Sequence, residues 1–359
     1  MLIRRLSIDG VRSLSDVMLE PVSGINSIVG DNGAGKSSVL EAIHLIATGR
    51  SYRTRKVQAL LPAEQKALTV RMELLDPDAS RSHQVGLQKL KAGGTRLKLD
   101  HQPLNSIVAV TRLLPVKIIS PDSHALVQEG PDERRQFLDW GLFHVEPGFL
   151  ALWKSYRRIL QQRNQALKYP GRDNALSAWD QELSDVGEKL SQYRRDYVES
   201  LQAVLSEVKK QLPVLDALEV RYRQGWPKDK TLHDALKDEQ QQAMTPAFTT
   251  VGPHRADMVL TYNGRVAREH LSRGEQKLLV YALHLAQLEH AVSRGLRRPV
   301  VLLDDLSAEL DSDFLNRVIG VLNRLETQSF ITGNAVLPAS IKNVGRTFHM
   351  QGGLVAEVV

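Results

Sequence analysis

The stretch Gly30-Asp-Asn-Gly-Ala-Gly-Lys-Ser37 decides the fold of this chain. It matches the phosphate-binding loop pattern G-x-x-x-x-G-K-S in full. The apolar segment Ile25–Val29 before it predicts a strand, and apolar residues at helical spacing after Leu40 predict a helix. A glycine loop between strand and helix surrounds phosphate with backbone N–H groups and the positive end of the helix. The alternative is a plain glycine turn that caps a helix.

A nucleotide site of this kind needs an acidic group for its metal ion. Pro299-Val-Val-Leu-Leu303 predicts a buried strand that carries Asp304 to the phosphate edge of the sheet. Asp304 and the Ser37 hydroxyl are then the expected Mg²⁺ ligands. Asp305 is placed to position or activate an attacking water. The alternative is an acidic helix start that follows a core strand.

The segment Leu271-Ser-Arg-Gly-Glu-Gln276 opens a strongly predicted helix. Ser272 and Glu275 have the spacing of a capping box, so the segment could simply be a well-capped helix start. The same arrangement also presents N–H groups, a hydroxyl and a positive dipole end to an anion. The two interpretations are compatible, and the second gives the chain two anion sites.

These motifs resemble those of ABC-type ATPases. Residues 30–37, the pair Asp304-Asp305, the segment 271–276 and Ser307-Ala-Glu-Leu-Asp311 are similar to the Walker A, Walker B, signature and D-loop motifs of that class. In that class two copies face each other across ATP, and the signature helix of one covers the γ-phosphate held by the other. The resemblance implies ATP and Mg²⁺ as cofactors and an ATP-dependent homodimer that hydrolysis releases.

The resemblance assigns three groups of residues. The catalytic residues are Lys36, Asp305 and, in trans, Ser272. The signature residues are Ser272, Arg273, Gly274, Glu275 and Gln276. The expected ATP-binding residues are Gly30, Asp31, Asn32, Gly33, Ala34, Gly35, Lys36, Ser37, Ser38 and Arg12.

Further segments resemble the RecF family of bacterial recombinational repair proteins over essentially the whole chain. They are Leu40-Glu-Ala-Ile43 with Gly49-Arg-Ser-Tyr-Arg53, Gly130-Pro-Asp-Glu-Arg-Arg-Gln-Phe-Leu-Asp139, Gln162-Arg-Asn164 and Gly252-Pro-His-Arg255. The family resembles the head of the SMC and Rad50 ATPases without their long coiled coil. The resemblance implies action at single-strand gaps and stalled forks, weak DNA-dependent ATP hydrolysis, and partnership with RecR and RecO in loading RecA onto single-stranded DNA.

Three positions depart from the general ABC pattern. Asp305 stands where glutamate is usual, and its shorter side chain predicts slow hydrolysis. The expected glutamine is missing near Ser120-Pro-Asp122, at the predicted lobe junction. No histidine follows the strand predicted at 329–332, and Thr332 is the candidate for that switch position.

Composition excludes several other classes of protein. The 359 residues contain no cysteine, which excludes disulfides, zinc ribbons, iron–sulfur clusters and thiol catalysis. No stretch approaches 18 uncharged apolar residues, and the N-terminus has no secretory signal, so we expect a cytoplasmic protein without a membrane partner. The net charge of +6 makes a polyanionic partner plausible, although many basic proteins bind no nucleic acid.

The pattern predicts an α/β fold in which a helical lobe interrupts the ATPase lobe. Residues 1–122 and 241–359 form the predicted lobe I, and residues 123–240 form lobe II. Within lobe II, apolar residues spaced 3 or 4 apart over 183–208 predict one buried helix face, far too short for an SMC-type arm. Residues 229–242 are polar and predict a connection or a solvated helix.

Two basic stretches are candidates for contact with duplex or gapped DNA. Residues 50–56 and 151–170 combine Lys and Arg with aromatic residues and contain no acidic residue. Such stretches suit sequence-independent phosphate contact, although each could be a solvated surface. The candidate residues are Arg50, Arg53, Arg55, Lys56, Lys154, Arg157, Arg158, Arg163 and Lys168.

Two other functions remain open at this stage. One is an ATPase subunit of a membrane transporter, against which the missing glutamine and the helical insertion argue. The other is a structural clamp whose dimer state follows ATP binding while hydrolysis is incidental.

Overall fold

A computed structural model describes most of the chain. The chain divides into two compact units. Met1–Ser123 with Leu296–Val359 form the first unit, and His124–Gly295 form the second. The residues described are 1–168, 173–210, 212–241, 247–296, 298–306, 310–337 and 344–358.

The strands and helices are numbered in chain order. The strands are β1 (Leu2–Asp9), β2 (Val17–Leu19), β3 (Ile25–Gly30), β4 (Ala67–Asp76), β5 (Arg81–Leu90), β6 (Thr95–Leu99), β7 (Gln102–Pro103), β8 (Val116–Ile119), β9 (Leu218–Arg223), β10 (Asp257–Tyr262), β11 (Arg265–Val266), β12 (Val300–Leu303), β13 (Gln328–Gly333), β14 (Val344–Gln351) and β15 (Leu354–Val358). The helices are α1 (Lys36–Thr48), α2 (Val108–Leu113), α3 (Ala125–Gln128), α4 (Pro131–Val145), α5 (Phe149–Ala166), α6 (Asp173–Lys210), α7 (Leu232–Gln240), α8 (Ala267–His270), α9 (Arg273–Ser293) and α10 (Ser312–Arg324).

The first unit is built on a largely parallel sheet of order β15-β14-β3-β13-β12-β8. Only β15, at one edge, runs antiparallel to its neighbour β14. All four residues of β12 are buried, as expected for a parallel strand covered on both faces. Because β3, β13 and β12 are adjacent and parallel, their carboxyl ends meet at one edge of the sheet. That edge receives the phosphate-binding loop and Asp304.

An antiparallel sheet of order β2-β1-β4-β5-β6-β7 completes the first unit. Its strands alternate as one-sided sheets do, with every second residue of β4 from Leu68 to Leu74 buried. These side chains join one apolar core with α1, which is buried over most of its length. The core therefore fixes the helix that begins at the phosphate-binding loop.

The second unit is a helical layer with a small antiparallel sheet of order β11-β10-β9. Its longest helix, α6, packs against α5, α7 and α9. Within the stripe predicted on α6, Leu183, Leu190 and Leu201 are buried, so the prediction of one buried helix face is confirmed. No helix among the residues that the structure describes is long and apolar enough to cross a membrane.

Two predictions about the chain between residues 229 and 295 differ from the structure. The division into compact units places the return to the first unit after Gly295 and not at residue 241. The reason is long-range pairing: β9 lies before residue 241, β10 lies after it, and the two strands pair along their full length. The polar stretch 229–242 contains α7, so the helix is found and the connection is not; the helix is only partly solvated, because it buries Leu232 and Leu236.

Candidate functional site

The loop between β3 and α1 depends on glycine at two positions. A Cβ at Gly30, where φ is +153°, would lie 2.2 Å from the carbonyl oxygen of Met350. Gly35 is the N-cap of α1 with φ of +103°, and a Cβ there would lie 2.8 Å from the Leu14 side chain. Only glycine allows this close approach and this backbone conformation. The loop therefore brings its backbone N–H groups to the start of α1, which is where an anion binds.

The Lys36 ammonium is held at this loop by three neutral acceptors. Its Nζ donates to the carbonyl oxygen of Gly30 at 2.7 Å, that of Asp31 at 2.9 Å and Asn334 Oδ1 at 3.0 Å. None of the three carries a negative charge. These three acceptors therefore leave the positive charge of Lys36 available to a phosphate group.

The Asp304 carboxylate follows β12 directly and accepts hydrogen bonds from three hydroxyl groups. Its Oδ1 accepts from Ser37 Oγ at 2.7 Å and from Thr332 Oγ1 at 2.8 Å. Its Oδ2 accepts from the Tyr52 hydroxyl at 2.9 Å. Burial raises the pKa of Tyr52, and the negative charge of Asp304 raises it further. Tyr52 therefore remains a neutral donor to this carboxylate.

Ser37 and Asp304 fit a Mg²⁺ ion. Adjacent ligands of an octahedral ion with bonds of 2.0–2.1 Å lie about 2.9 Å apart. Ser37 Oγ and Asp304 Oδ1 are 2.7 Å apart, and both are oxygen donors, which Mg²⁺ prefers. Nucleotide phosphates and waters would supply the remaining ligands, as is usual for this ion.

Asp305 has a strained backbone at the same edge. Its φ is +56°, which is uncommon for a residue other than glycine, and its N–H donates to Thr332 Oγ1 at 2.8 Å. Thr332 thereby joins both aspartates. Of the predicted D-loop, residues 307–309 lie outside the described part of the chain. Asp311 caps α10 by accepting from the N–H of Phe314 at 2.8 Å.

A fully buried carboxylate on α1, Glu41, gathers charged partners beside the loop. It forms ion pairs with Arg12 and, at 3.7 Å, with Arg53, and it accepts a hydrogen bond from Ser51. The hydrogen bond with Glu41 raises the pKa of Arg12. Arg12 is thus tied to the helix that follows the phosphate-binding loop.

The predicted basic stretch 50–56 divides into two groups of residues. Tyr52 and Arg53 are directed toward Asp304 and Glu41. Arg50, Arg55 and Lys56 are exposed, and so is Arg53 despite its ion pair with Glu41. The exposed charges of Arg50, Arg55 and Lys56 are available for contact with a phosphate backbone.

The segment 271–276 in the second unit forms the capping box that its spacing predicts. Ser272 Oγ accepts from the N–H of Glu275 at 3.3 Å, and Glu275 Oε2 accepts from the N–H of Ser272 at 2.7 Å. These bonds lower the pKa of Glu275. Gln276 is buried and donates to the carbonyl of Leu271 at 2.8 Å, whereas Ser272, Arg273 and Gly274 are exposed. The exposed helix start is therefore pre-formed.

Arg163 does not belong to a DNA-binding surface, contrary to the prediction. Its side chain is fully buried and pairs with Asp180 at 2.6 Å and with Glu239 at 3.2 Å. It also donates to Thr249 Oγ1 at 2.8 Å. On α5 it lies on the same stripe as the buried Tyr156 and Ile159, at helical spacing, and that spacing is the sequence signal for an inward side chain.

The other basic candidates on and after α5 lie at the surface. Arg157 lies over the Trp153 ring, with 5.0 Å between its guanidinium carbon and the ring centroid. Arg158 forms a loose, exposed ion pair with Glu182 at 3.8 Å. Lys154 and Lys168 are exposed. Lys154, Arg157 and Arg158 on α5, with Lys168 just after its end, make up the surface patch on α5.

Two residues that contact the candidate site are not among the site residues predicted from the sequence. Asn334 follows β13 directly and contacts Lys36, and the end of a strand next to β3 was the available signal. Tyr52 was read only as part of a basic stretch, although its hydroxyl contacts Asp304. No local pattern points to that contact, because 252 residues separate the two.

Comparison with known proteins gives consistent matches. The family described as "RecF/RecN/SMC N terminal domain" matches residues 2–350. A relative from Thioalkalivibrio sulfidiphilus (strain HL-EbGR7), called DNA replication and repair protein RecF, is 37% identical over 355 residues, 98% of each chain. A relative of the same name from Pseudomonas aeruginosa (strain LESB58) is 39% identical over 365 residues, covering 99% of this chain and 98% of the relative.

Solved structures agree with these matches. A structure described as "recombination mediator protein RecF-ATP in RecFOR pathway" has a TM-score of 0.86 and 27% identity, and the match covers 99% of this chain and 97% of that one. The corresponding RecF-ATPrS structure also has a TM-score of 0.86, with 26% identity, covering 100% and 98%. An SMC head bound to a ScpA domain has a TM-score of 0.62 at 16% identity, covering 100% and 97%, which is a likeness of fold. The predicted head-like ATPase fold is thereby confirmed.

Proposed function

Because this chain belongs to the RecF family of DNA replication and repair proteins, we propose that it is an ATP-dependent DNA-binding protein of recombinational repair and fork maintenance. The observation that carries the proposal is the edge of the parallel sheet, where the glycine loop, Lys36, Ser37 and Asp304 converge. The relatives solved with ATP and ATPrS support a nucleotide at this edge.

In the proposed mechanism the chain binds ATP with neutral and positive groups. The N–H groups of the loop and the Lys36 ammonium hold the β- and γ-phosphates, while Ser37 and Asp304 would hold Mg²⁺, which neutralises charge on the phosphates. Asp305 orients the attacking water. Its short side chain and its N–H bond to Thr332 favour slow hydrolysis.

A second copy of the chain completes the site. The exposed helix start at Ser272 and Gly274 of the partner contacts the γ-phosphate, so ATP holds the dimer together and hydrolysis releases it. The capping box supports this role because it fixes the N–H groups of the helix start before any ligand arrives.

The dimer binds duplex and gapped DNA by contacting the phosphates of the DNA backbone. It also acts in the cytoplasm together with partner proteins. The surface patch on α5, together with Arg50, Arg55 and Lys56, supplies exposed positive charge. The solved relatives described as belonging to the RecFOR pathway support partnership with RecR and RecO. The proposed outcome of this partnership is the loading of RecA onto single-stranded DNA.

The direct test measures binding to a gapped duplex by fluorescence anisotropy, with ATP and Mg²⁺, with a non-hydrolysable analogue and without nucleotide. We expect the protein to bind the gapped duplex with ATP or with the analogue, and to bind it only weakly without nucleotide. Over time the protein should dissociate from the DNA in ATP but not in the analogue. Lys36→Ala should lose the nucleotide effect. Equal binding with and without nucleotide would contradict the proposal, and equal retention in ATP and the analogue would favour a clamp whose hydrolysis is incidental.

A further inference from the structure

Tyr52 reaches the oxygen of Asp304 that lies away from Ser37. Ser37 Oγ contacts Oδ1 at 2.7 Å, whereas the Tyr52 hydroxyl donates to Oδ2 at 2.9 Å. The same hydroxyl is 3.4 Å from the carbonyl oxygen of Ser37, so its single proton serves the shorter bond to the carboxylate. The hydrogen bond from Tyr52 to Oδ2 therefore orients the carboxylate so that Oδ1 faces Ser37.

The surroundings of Tyr52 keep its hydroxyl in place. Its ring packs edge-on against His44 of α1 with 5.6 Å between centroids, and His44 Nδ1 is 2.8 Å from the carbonyl oxygen of Arg50. On the other side, Ser51 Oγ accepts from the N–H groups of Arg53 at 3.0 Å and Thr54 at 3.1 Å. Tyr52 thus projects from a closed turn and has little freedom to move.

We propose that Tyr52 is a positioning residue for the Mg²⁺ carboxylate, acting through Asp304 without touching metal or nucleotide. A metal-binding carboxylate is itself normally hydrogen-bonded, and removal of such an outer partner lowers metal affinity about 10- to 100-fold. Without the Tyr52 hydroxyl, the side-chain hydrogen bonds that hold Asp304 within the described part of the chain all reach Oδ1, the oxygen that would bind Mg²⁺. The inference rests on the proposed nucleotide function of the same edge.

The test compares wild type with Tyr52→Phe, which removes one oxygen and keeps the ring against His44. Binding of N-methylanthraniloyl ATP is titrated against MgCl₂, and again in EDTA without the metal. We expect the half-saturating Mg²⁺ concentration to rise about 10-fold in the variant, while affinity in EDTA stays unchanged. The ratio of the affinity with Mg²⁺ to the affinity in EDTA does not depend on the fraction of folded protein.

Tyr197→Phe is the matched control, because the Tyr197 hydroxyl is buried and bonded to Gln287 at 3.0 Å, within the second unit. It should lose a comparable amount of stability without a shift in the Mg²⁺ titration. A Tyr52→Phe titration within twofold of wild type would refute the positioning role, and so would an equal loss of affinity in EDTA. Failure of the wild type itself to bind the analogue would instead refute the proposed function.

Discussion

Replacement of Arg163 by alanine tests whether this side chain belongs to the core of the second unit or to its surface. The guanidinium is fully buried between Asp180 and Glu239, whose side chains are only 3% exposed. Removing it leaves two carboxylates without their cation and Thr249 without one hydrogen bond. Removal of one partner from a buried ion pair destabilises a protein by about 3–5 kcal/mol, and we expect a loss in that range.

Urea unfolding of the second unit measures this loss. With a slope of roughly 3 kcal/mol per M, the midpoint should fall by about 1 to 1.7 M. Lys154→Ala, on the exposed face of the same helix, should change stability by less than about 0.5 kcal/mol. An Arg163→Ala midpoint equal to that of Lys154→Ala, combined with weaker DNA binding, would refute the buried assignment and restore Arg163 to the DNA-binding surface.

Three further predictions follow from the second unit. Burial lowers the pKa of His254 from 6.5 to about 4. Between these two pH values His254 is protonated in the unfolded chain and neutral in the folded chain. Stability should therefore fall as the pH drops from 7.5 to 5.5, by about 1.3 kcal/mol for this residue, and urea midpoints of His254→Gln should show that much less pH dependence. Ser272→Ala should lose about 1 kcal/mol of helix capping and also ATP-dependent dimerisation in light scattering, whereas Ser272→Asn should keep the cap and still fail to dimerise. A normal dimer in Ser272→Asn would contradict the trans role. Lys154→Ala should reduce the slope of log affinity against log salt by about 1, from an expected −4 to −5 for five phosphates, and an unchanged slope would remove it from the interface.

The sequence predicts best those features that depend on neighbours along the chain. The glycine loop between β3 and α1 and the capping box of Ser272 with Glu275 are complete within eight residues or fewer, so their geometry follows from local backbone chemistry. The predicted strands of the central sheet and the buried stripe on α6 depend only on periodicity, and they are also found. The family resemblance rested on such local motifs and is confirmed by the relatives.

Features that depend on distant partners were missed or misplaced. The charge of Arg163 suggested a surface, and its buried partners stand 17 and 76 residues away along the chain. The boundary at residue 241 failed for the same reason, since β9 and β10 pair across it. In both cases tertiary contacts, and not local composition, determine the result: they bury Arg163 and they pair β9 with β10. Only the helical spacing of Arg163 with Tyr156 and Ile159 signalled the outcome.

The strand order explains how this chain holds its site without the glutamine and histidine of the general ABC pattern. β13 lies between β3 and β12, so its carboxyl end stands between the phosphate-binding loop and Asp304. Thr332 donates to Asp304 and accepts from the N–H of Asp305, while Asn334 accepts from Lys36. The carboxyl end of β13 and the residue that follows it therefore contact both the Lys36 ammonium and the Asp304 carboxylate. Because an ammonium has three donors and Lys36 uses all three, a phosphate that accepts from Lys36 would replace one of the acceptors Gly30, Asp31 and Asn334.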